Sequence, residues 1–179
     1  VAQLINRFVL TDRSKAHPTT TAPPQNEFDV VVVGGTPGGI AAAVTAARLG
    51  RSVALVEFHP HIGGMTAGGL SSSDIRKLQV IQGFFREFTN RILTEYTRAY
   101  GEDSEQVKAC NQGYRYEPSV AERVFNAIVQ EQPTLTVLKN HQLVSVQTSG
   151  ERVSTVTVKN RADDSRLTLS GKVFIDATY

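Results

Sequence analysis

The chain has 179 residues, a formal net charge of +2 with acidic and basic side chains interspersed, a single cysteine and no tryptophan. No basic stripe and no apolar run near the ~20 residues that cross a bilayer are present, so neither a nucleic-acid nor a membrane partner is predicted. Cys110 alone supports neither an internal disulfide nor a zinc cluster, and we interpret it as a passive thiol.

The first 27 residues are predicted to precede the folded domain. Residues 1–13 form a short amphipathic pattern, and residues 17–27 form a linker rich in proline and threonine. We therefore assign residues 1–27 to an N-terminal segment with its linker and residues 28–179 to one α/β domain.

A strand, a glycine-rich turn and a helix open this domain. Residues 30–33 are a valine run typical of a buried parallel strand, and residues 40–49 are alanine-rich and free of helix breakers. Gly34 permits a sharp turn out of the strand, and Gly39 lets the helix pack closely on the sheet. First-turn amides and the helix dipole then hold a pyrophosphate. The predicted phosphate site comprises Gly34, Gly35, Thr36, Pro37, Gly38 and Gly39.

The second predicted strand, residues 52–56, ends at Glu57, where an acid that binds a ribose belongs. A carboxylate accepts hydrogen bonds from ribose hydroxyls and repels the 2′-phosphate of NADP, so NADP is disfavoured. Thr36 replaces the second glycine of the GxGxxG fingerprint, and two interpretations stay open. We favour a hydroxyl that donates to phosphate; the alternative is a Cβ that displaces the phosphate.

The next segment holds a second glycine cluster at residues 63–69 and two histidines. We interpret His59 and His61 as solvated or hydrogen-bonded, with covalent attachment of the cofactor as the alternative and no metal site. Asp74 is predicted to cap or precede a helix, with an acid/base role beside the cofactor as the alternative.

Further helices and a loop are predicted from residue 81 onward. Apolar and aromatic residues between positions 81 and 100 recur at helical spacing and predict a core-facing helix. Residues 101–113 are predicted to be a polar loop, and residues 114–117 a short strand. Ser119 and Glu122 have the spacing of a capping box at the start of another helix, which Pro133 ends.

The remaining segments predict strands. Residues 135–138 form a third parallel strand, and three alternating segments at 143–148, 153–159 and 167–169 form an antiparallel meander. Residues 172–176 return to a buried strand. Such a strand needs a cover that the sequence up to Tyr179 does not supply, so we expect a continuing polypeptide or a second chain to complete the sheet and provide the substrate domain.

The chain from Phe28 to Tyr179 resembles the N-terminal part of FAD-dependent oxidoreductases with a glutathione-reductase-like Rossmann fold. It is most similar to flavoproteins that carry GGTPxGIAAA, GGMTxGGL and FIDATY, which stand here within residues 31–43, 63–70 and 174–179. The resemblance implies FAD as the cofactor and a Rossmann-like FAD-binding domain with crossover helices, whose parallel sheet is interrupted by the meander.

The resemblance also implies further cofactor contacts. The backbone at the start of the meander, Leu143 and Val144, would meet the adenine. Ala177 and Thr178 match an AlaThrGly element, in which Tyr179 replaces the glycine. The second glycine cluster would lead toward the isoalloxazine, and the alternative is that it is a flexible linker. Its predicted site residues are Gly63, Gly64, Met65 and Thr66.

The resulting hypothesis is a flavin-dependent oxidoreductase that transfers hydride or electrons between an unidentified small organic substrate and an acceptor. No catalytic residue is assigned. Asp176, at a strand end, either contacts flavin or caps the next turn. Two other functions stay open: an NAD-dependent dehydrogenase, because Glu57 suits an NAD ribose equally well, and a non-catalytic dinucleotide-binding scaffold.

Overall fold

The computed structural model describes residues 26–179. The predicted amphipathic segment and all but the last two residues of the predicted linker lie outside the described residues. The chain runs in the order β1 (Glu27–Val33), α1 (Pro37–Arg48), β2 (Val53–Val56), α2 (Gly64–Gly68), α3 (Gly83–Tyr100), α4 (Glu105–Cys110), α5 (Pro118–Gln130), β3 (Leu135–Leu138), β4 (His141–Ser149), β5 (Arg152–Asn160) and β6 (Arg166–Asp176). Short 3₁₀ turns occupy Leu78–Val80 and Asn111–Gly113.

All six strands belong to one sheet in the order β3-β2-β1-β6-β5-β4. β3, β2, β1 and β6 are parallel, whereas β4, β5 and β6 form antiparallel pairs. This arrangement confirms the predicted Rossmann-like sheet with an antiparallel meander.

β6 belongs to both parts of the sheet. Residues 166–170 pair antiparallel with β5, and residues 170–176 pair parallel with β1. The prediction of two separate strands is therefore wrong, since Gly171 continues the ladder opposite Phe28. The second half of β6 is also less buried than predicted. Val173 is 51% exposed, and among residues 26–179 no strand pairs with the outer edge of β6 beyond Ser170.

The two faces of the sheet have separate cores because side chains alternate along each strand. Val30 and Val32 face the helices, where they share a core with Ile40 of α1, Phe88 of α3 and Phe125 of α5. On the other face, one core cluster holds these residues: Val31, Ala54, Val56, Val156, Val158 and Leu169. Helices thus cover one face, and the meander folds against the other.

The two long helices follow the predicted apolar patterns. Phe88, Ile92 and Tyr96 of α3 are buried, although Tyr100 at the helix end is 52% exposed. The predicted capping box at the start of α5 is wrong. α5 begins at Pro118, whose fixed φ suits the first helical position, and its N-cap residue Glu117 makes no side-chain cap bond.

Three predictions for the segments around these helices are also wrong. Residues 101–113 are not a loop, because the Ser104 hydroxyl accepts a hydrogen bond from the Val107 N–H at 3.2 Å and starts α4. Residues 114–117 form no strand and contribute one bridge, between Arg115 and Ser72. Asp74 is exposed and starts no helix, since α3 begins nine residues later at Gly83. Among the described residues, no helix combines the length and hydrophobicity that a bilayer crossing requires.

Candidate cofactor-binding site

A cavity of about 930 Å³ opens at the carboxyl ends of β1, β2 and β6. The chain leaves β1 toward β2 on one side and returns to β6 on the other, so the cavity lies where the strand order reverses. Open α/β sheets bind ligands at such points, and the volume is in the range of small-molecule sites. Apolar side chains of the meander form one wall: Leu143, Val146, Val153 and Val156.

Two positions of the glycine-rich turn have no room for a side chain. Gly34 has φ +108°, and a Cβ there would lie 2.5 Å from the carbonyl oxygen of Ala177. A Cβ on Gly39 would lie 2.0 Å from the carbonyl oxygen of Gly34 and 3.0 Å from Cβ of Ala177. Gly34 thus permits the turn, as predicted, and Gly39 permits close packing of α1 against the turn and the end of β6.

Thr36 is the N-cap of α1. Its Oγ1 accepts a hydrogen bond from the Gly39 N–H at 3.2 Å and donates to the carbonyl oxygen of Ala177 at 2.9 Å. The hydroxyl hydrogen is therefore already used, and the predicted donation from Thr36 to a phosphate is not what the structure shows. The threonine replaces the usual second glycine because its side chain joins the helix start to the end of β6.

Two backbone donors remain at the start of α1. Within residues 26–179, the N–H groups of Thr36 and Gly38 meet no protein acceptor. The nearest atom to a Cβ built on Gly38 is 3.8 Å away, so the described chain leaves space there. Free N–H groups at the positive end of a 12-residue helix, beside open space, suit an anionic group such as a pyrophosphate.

Glu57 is 7% exposed and lines the cavity. Its Oε2 accepts from the Gly35 N–H at 2.6 Å, and its Oε1 accepts from the His59 N–H at 2.8 Å. A Cβ on Gly35 would lie 2.8 Å from Oε2, which explains the glycine at this position. A carboxylate has about four acceptor positions, so both oxygens keep capacity for ribose hydroxyls.

The second glycine cluster is a short helix rather than a linker. The N–H of Gly63 donates to the carbonyl oxygen of Gly35 at 2.7 Å and ties α2 to the first turn. Gly64 and Met65 line the large cavity, whereas Thr66 lines a smaller one of about 250 Å³. That second cavity is bounded by Pro37, Gly38, Ala41, Thr66 and four phenylalanines, Phe84, Phe85, Phe88 and Phe125.

The end of β6 forms the opposite rim. The Ala177 N–H donates to the carbonyl oxygen of Val33 at 2.8 Å, which extends the parallel pairing by one residue. The Asp176 carboxylate accepts from the Thr178 hydroxyl at 2.6 Å and from the Thr178 N–H at 3.0 Å. These bonds hold the pKa of Asp176 below its ordinary value. Asp176 therefore caps the turn, as one of its two interpretations predicted, and it also lines the cavity.

The start of the meander differs in detail from the prediction. Leu143 pairs with Val158 and Ser145 with Thr157, so Val144 is an extra residue at a bulge. Leu143 lines the cavity, and Val144 is not among the lining residues. The predicted contact of this backbone with the adenine stays a prediction, and Leu143 is the one of the two residues that lines the cavity.

The histidines lie on the rim of the cavity. His61 Nδ1 is 2.7 Å from Oε1 of Glu122, the residue predicted to belong to the capping box. The His59 ring packs edge-on against Phe58 with centroids 5.0 Å apart. Within residues 26–179 no group of three or more His, Cys, Asp or Glu side chains has a metal-binding arrangement. Cys110 is buried, and burial raises the pKa of its thiol, as suits a passive residue.

Two contributors to the site have no signal in the sequence pattern. Tyr179 lines the cavity, and its hydroxyl accepts from the Met65 N–H at 2.9 Å. Arg161 lies over the ring of Phe58 at 3.9 Å and donates to the Phe58 carbonyl oxygen at 3.2 Å, which holds one cavity wall in place. Both contacts join residues more than 100 positions apart, so no local spacing announces them.

Comparison with known proteins supports this description of the fold. A sequence model of the family described as FAD dependent oxidoreductase matches residues 29–179. The chain is also similar to the solved structure of the myxobacterial chondrochloren halogenase CndH, described as a new variant of FAD-dependent halogenases. The TM-score is 0.59 at 18% identity, over 86% of this chain and 37% of that chain.

Two curated proteins match parts of the sequence. The tRNA uridine 5-carboxymethylaminomethyl modification enzyme MnmG of Aquifex aeolicus is 27% identical over 141 residues, which cover 69% of this chain and 22% of that protein. Soluble pyridine nucleotide transhydrogenase of Mycobacterium bovis is 43% identical over 53 residues, which cover 28% of this chain and 11% of that protein. The chain thus spans less than a quarter of the length of either relative.

Proposed function

Because this chain belongs to the FAD-dependent oxidoreductase family, we propose that residues 28–179 are the cofactor domain of an enzyme that moves hydride or electrons between a small organic substrate and an acceptor. FAD is the cofactor. The observation that supports this proposal is the convergence of four segments on one cavity: the turn after β1, Glu57, the start of α2 and the end of β6.

We assign the residues that hold FAD from the donors and acceptors at the cavity. The pyrophosphate would accept hydrogen bonds from the free N–H groups of Thr36, which lines this cavity, and of Gly38, which borders the smaller one. The ribose hydroxyls would donate to Glu57, which two backbone amides already hold in place. The adenine would lie against Leu143, and the flavin end would extend along Gly64 and Met65.

FAD supplies the flavin ring that accepts or releases hydride, and the chain supplies its position and surroundings. Leu143, Val146 and Val153 offer an apolar wall on one side of the cavity, against which FAD would pack. Glu57 adds a negative charge at the ribose end, which disfavours a 2′-phosphate there. No described residue is assigned as an acid or base for the substrate.

We further propose that the chain belongs to the glutathione-reductase-like group that carries GGTPxGIAAA, GGMTxGGL and FIDATY. The support is that each motif has a definite place at the cavity. The first forms the turn and the start of α1, the second forms α2, and the third is the end of β6 with Tyr179 at the rim.

We propose that a continuing polypeptide or a second chain completes the sheet and brings the substrate domain. Beyond Ser170, the outer edge of β6 pairs with no strand among residues 26–179, and Val173 is half exposed beside it. An uncovered strand edge is a template for pairing with another segment. The division into residues 1–27 and 28–179 stays a proposal, and its support is that β1, the first described strand, begins at Glu27.

The test is cofactor loading of the purified protein and of a Gly39→Val variant. We expect a yellow protein with the visible absorption of oxidised flavin, and loss of that absorption in the variant, because its Cβ would overlap the Gly34 carbonyl. Reduction of the bound flavin by a panel of organic substrates would support the enzyme. A protein that binds NAD and no flavin would favour the dehydrogenase. A bound flavin that no substrate reduces, with the completing polypeptide or second chain present, would favour the scaffold.

A further inference from the structure

Three backbone segments meet in pairs at the cavity: the turn at residues 34–36, the start of α2 at 63–65, and residues 177–179. The Gly63 N–H donates to the Gly35 carbonyl at 2.7 Å, and the Thr36 hydroxyl donates to the Ala177 carbonyl at 2.9 Å. The third contact is between the Met65 N–H and the Tyr179 hydroxyl at 2.9 Å. Each segment is therefore fixed to the other two.

The contact between α2 and Tyr179 leaves no room for a side chain at residue 64. A Cβ on Gly64 would lie 2.2 Å from the Tyr179 hydroxyl oxygen and 2.9 Å from ring atoms Cε2 and Cζ. The phenol ring thus rests directly against the Gly64 backbone. Gly64 also has φ +50°, which L side chains rarely adopt.

We propose that Tyr179 is a positioning residue that holds α2 against the end of β6 and so sets the width of the cavity along the flavin end of FAD. Gly64, Met65 and Tyr179 all line the cavity, so a shift of α2 away from β6 changes the space that FAD occupies. This inference rests on the proposed location of FAD. Because the hydroxyl accepts from Met65, its own hydrogen stays available to an acceptor in the cavity.

The test is a double-mutant cycle measured as the FAD dissociation constant, by quenching of flavin fluorescence on titration into apoprotein. Tyr179→Phe removes the bond to Met65 and keeps the ring, and we expect about 3- to 10-fold weaker binding. Gly64→Ala should weaken binding about 10-fold or more, through overlap with the ring and strain at φ +50°. Tyr179→Ala, which removes the ring as well, is the second single variant of the cycle. In Gly64→Ala/Tyr179→Ala the overlap is absent, so the combined loss should be smaller than the product of the Gly64→Ala and Tyr179→Ala losses.

Two control variants separate positioning from general stability. Gly50→Ala places a methyl at φ +76° with no atom within 4 Å, so it has the backbone strain of Gly64→Ala without an overlap and away from the cavity. Tyr100→Phe removes a hydroxyl from an exposed tyrosine at the end of α3. We expect both controls to bind FAD like the parent, whatever their thermal midpoints.

The outcomes are distinct for the two proposals. If Gly39→Val abolishes FAD binding while Tyr179→Phe binds FAD as the parent does, the role of Tyr179 is overturned and the site stands. Multiplying losses at Gly64 and Tyr179 would also overturn the positioning role. If Gly39→Val binds FAD normally, the proposed site itself is wrong. Should Gly64→Ala not fold, Tyr179→Phe against Tyr100→Phe still decides the question.

Discussion

The hydroxyl of Thr36 donates to the carbonyl oxygen of Ala177 at 2.9 Å, across 141 positions of sequence. The Thr36 hydroxyl oxygen also caps α1, because it accepts a hydrogen bond from the Gly39 N–H. One side chain therefore joins the start of the first described helix to the end of the last described strand, next to the two N–H groups at the start of α1 that have no acceptor among residues 26–179.

Replacing Thr36 by valine should destabilise the fold by about 1–2 kcal/mol, because the N-cap and the bond to Ala177 are both lost. Thr36→Ser keeps the hydroxyl and should stay close to the parent. Urea unfolding of the apoprotein measures both changes. Thr94→Val is the matched control, since Thr94 is exposed in mid-helix and its hydroxyl donates to the Asn90 carbonyl of the same helix. Equal stability of the valine and serine variants at position 36 would contradict the role given to the hydroxyl.

Replacing Glu57 by alanine should weaken FAD binding by about 1–3 kcal/mol, the cost of losing hydrogen bonds to a charged acceptor. The apoprotein should also lose stability, because the Gly35 and His59 N–H groups lose their acceptor. Flavin fluorescence titration and urea unfolding report the two effects separately. Glu151→Ala, in the exposed turn after β4, is the control. If Glu57→Ala binds FAD with the affinity of the parent, the ribose does not bind to this carboxylate.

The elements that depend on local pattern were predictable from the sequence. A run of residues whose apolar pattern is typical of either a helix or a strand marks each of these elements: β1, β2, β3, α1 and the meander. The sequence analysis divided β6 into two strands at Gly171, a residue type common in turns. In the structure Gly171 lies within the strand, where a Cβ would be only 3.0 Å from Cγ2 of Val31. The bonds of Thr36 to Ala177 and of Met65 to Tyr179 were missed because the partners lie more than 100 positions apart. Glu57 was assigned to a ribose, but sequence spacing does not show that two backbone N–H groups also hold its carboxylate.

Acid should destabilise the contact between α1, α3 and α5. Arg48 bonds to Glu87, and Arg91 bonds to Glu131 and Glu87, which lowers the pKa of both glutamates in the folded state. A folded pKa below the unfolded value gives stability that is present above about pH 4.3 and is lost as the pH falls through the lowered pKa. Both carboxylates are partly exposed, so salt screens the effect.

In Glu87→Gln the free energy of unfolding should therefore fall less steeply as the pH drops below about 4.3. At neutral pH this variant should be modestly less stable than the parent. Urea unfolding at stepped pH measures both. Glu105→Gln is the control, because Glu105 pairs with Lys108 of the same short helix on the exposed surface of α4, and this variant should keep the acid slope of the parent. An acid slope in Glu87→Gln identical to that of the parent would show that the network does not report on folding.

The uncovered edge of β6 should make residues 1–179 self-associate when they are expressed alone. Val173 is half exposed on the half of β6 whose outer edge pairs with no strand among the described residues, and such edges pair with other chains unless charge or cover prevents it. Val173→Lys should shift the 1–179 chain toward monomer in sedimentation velocity, since natural edge strands use lysine in this way. Leu49→Lys, at the exposed C-terminal end of α1, is the control for added charge and should leave self-association unchanged. The contradicting result is a parent 1–179 chain that is a monodisperse monomer with tightly bound FAD. The edge of β6 would then need no further segment, and the proposal of a completing polypeptide would be wrong.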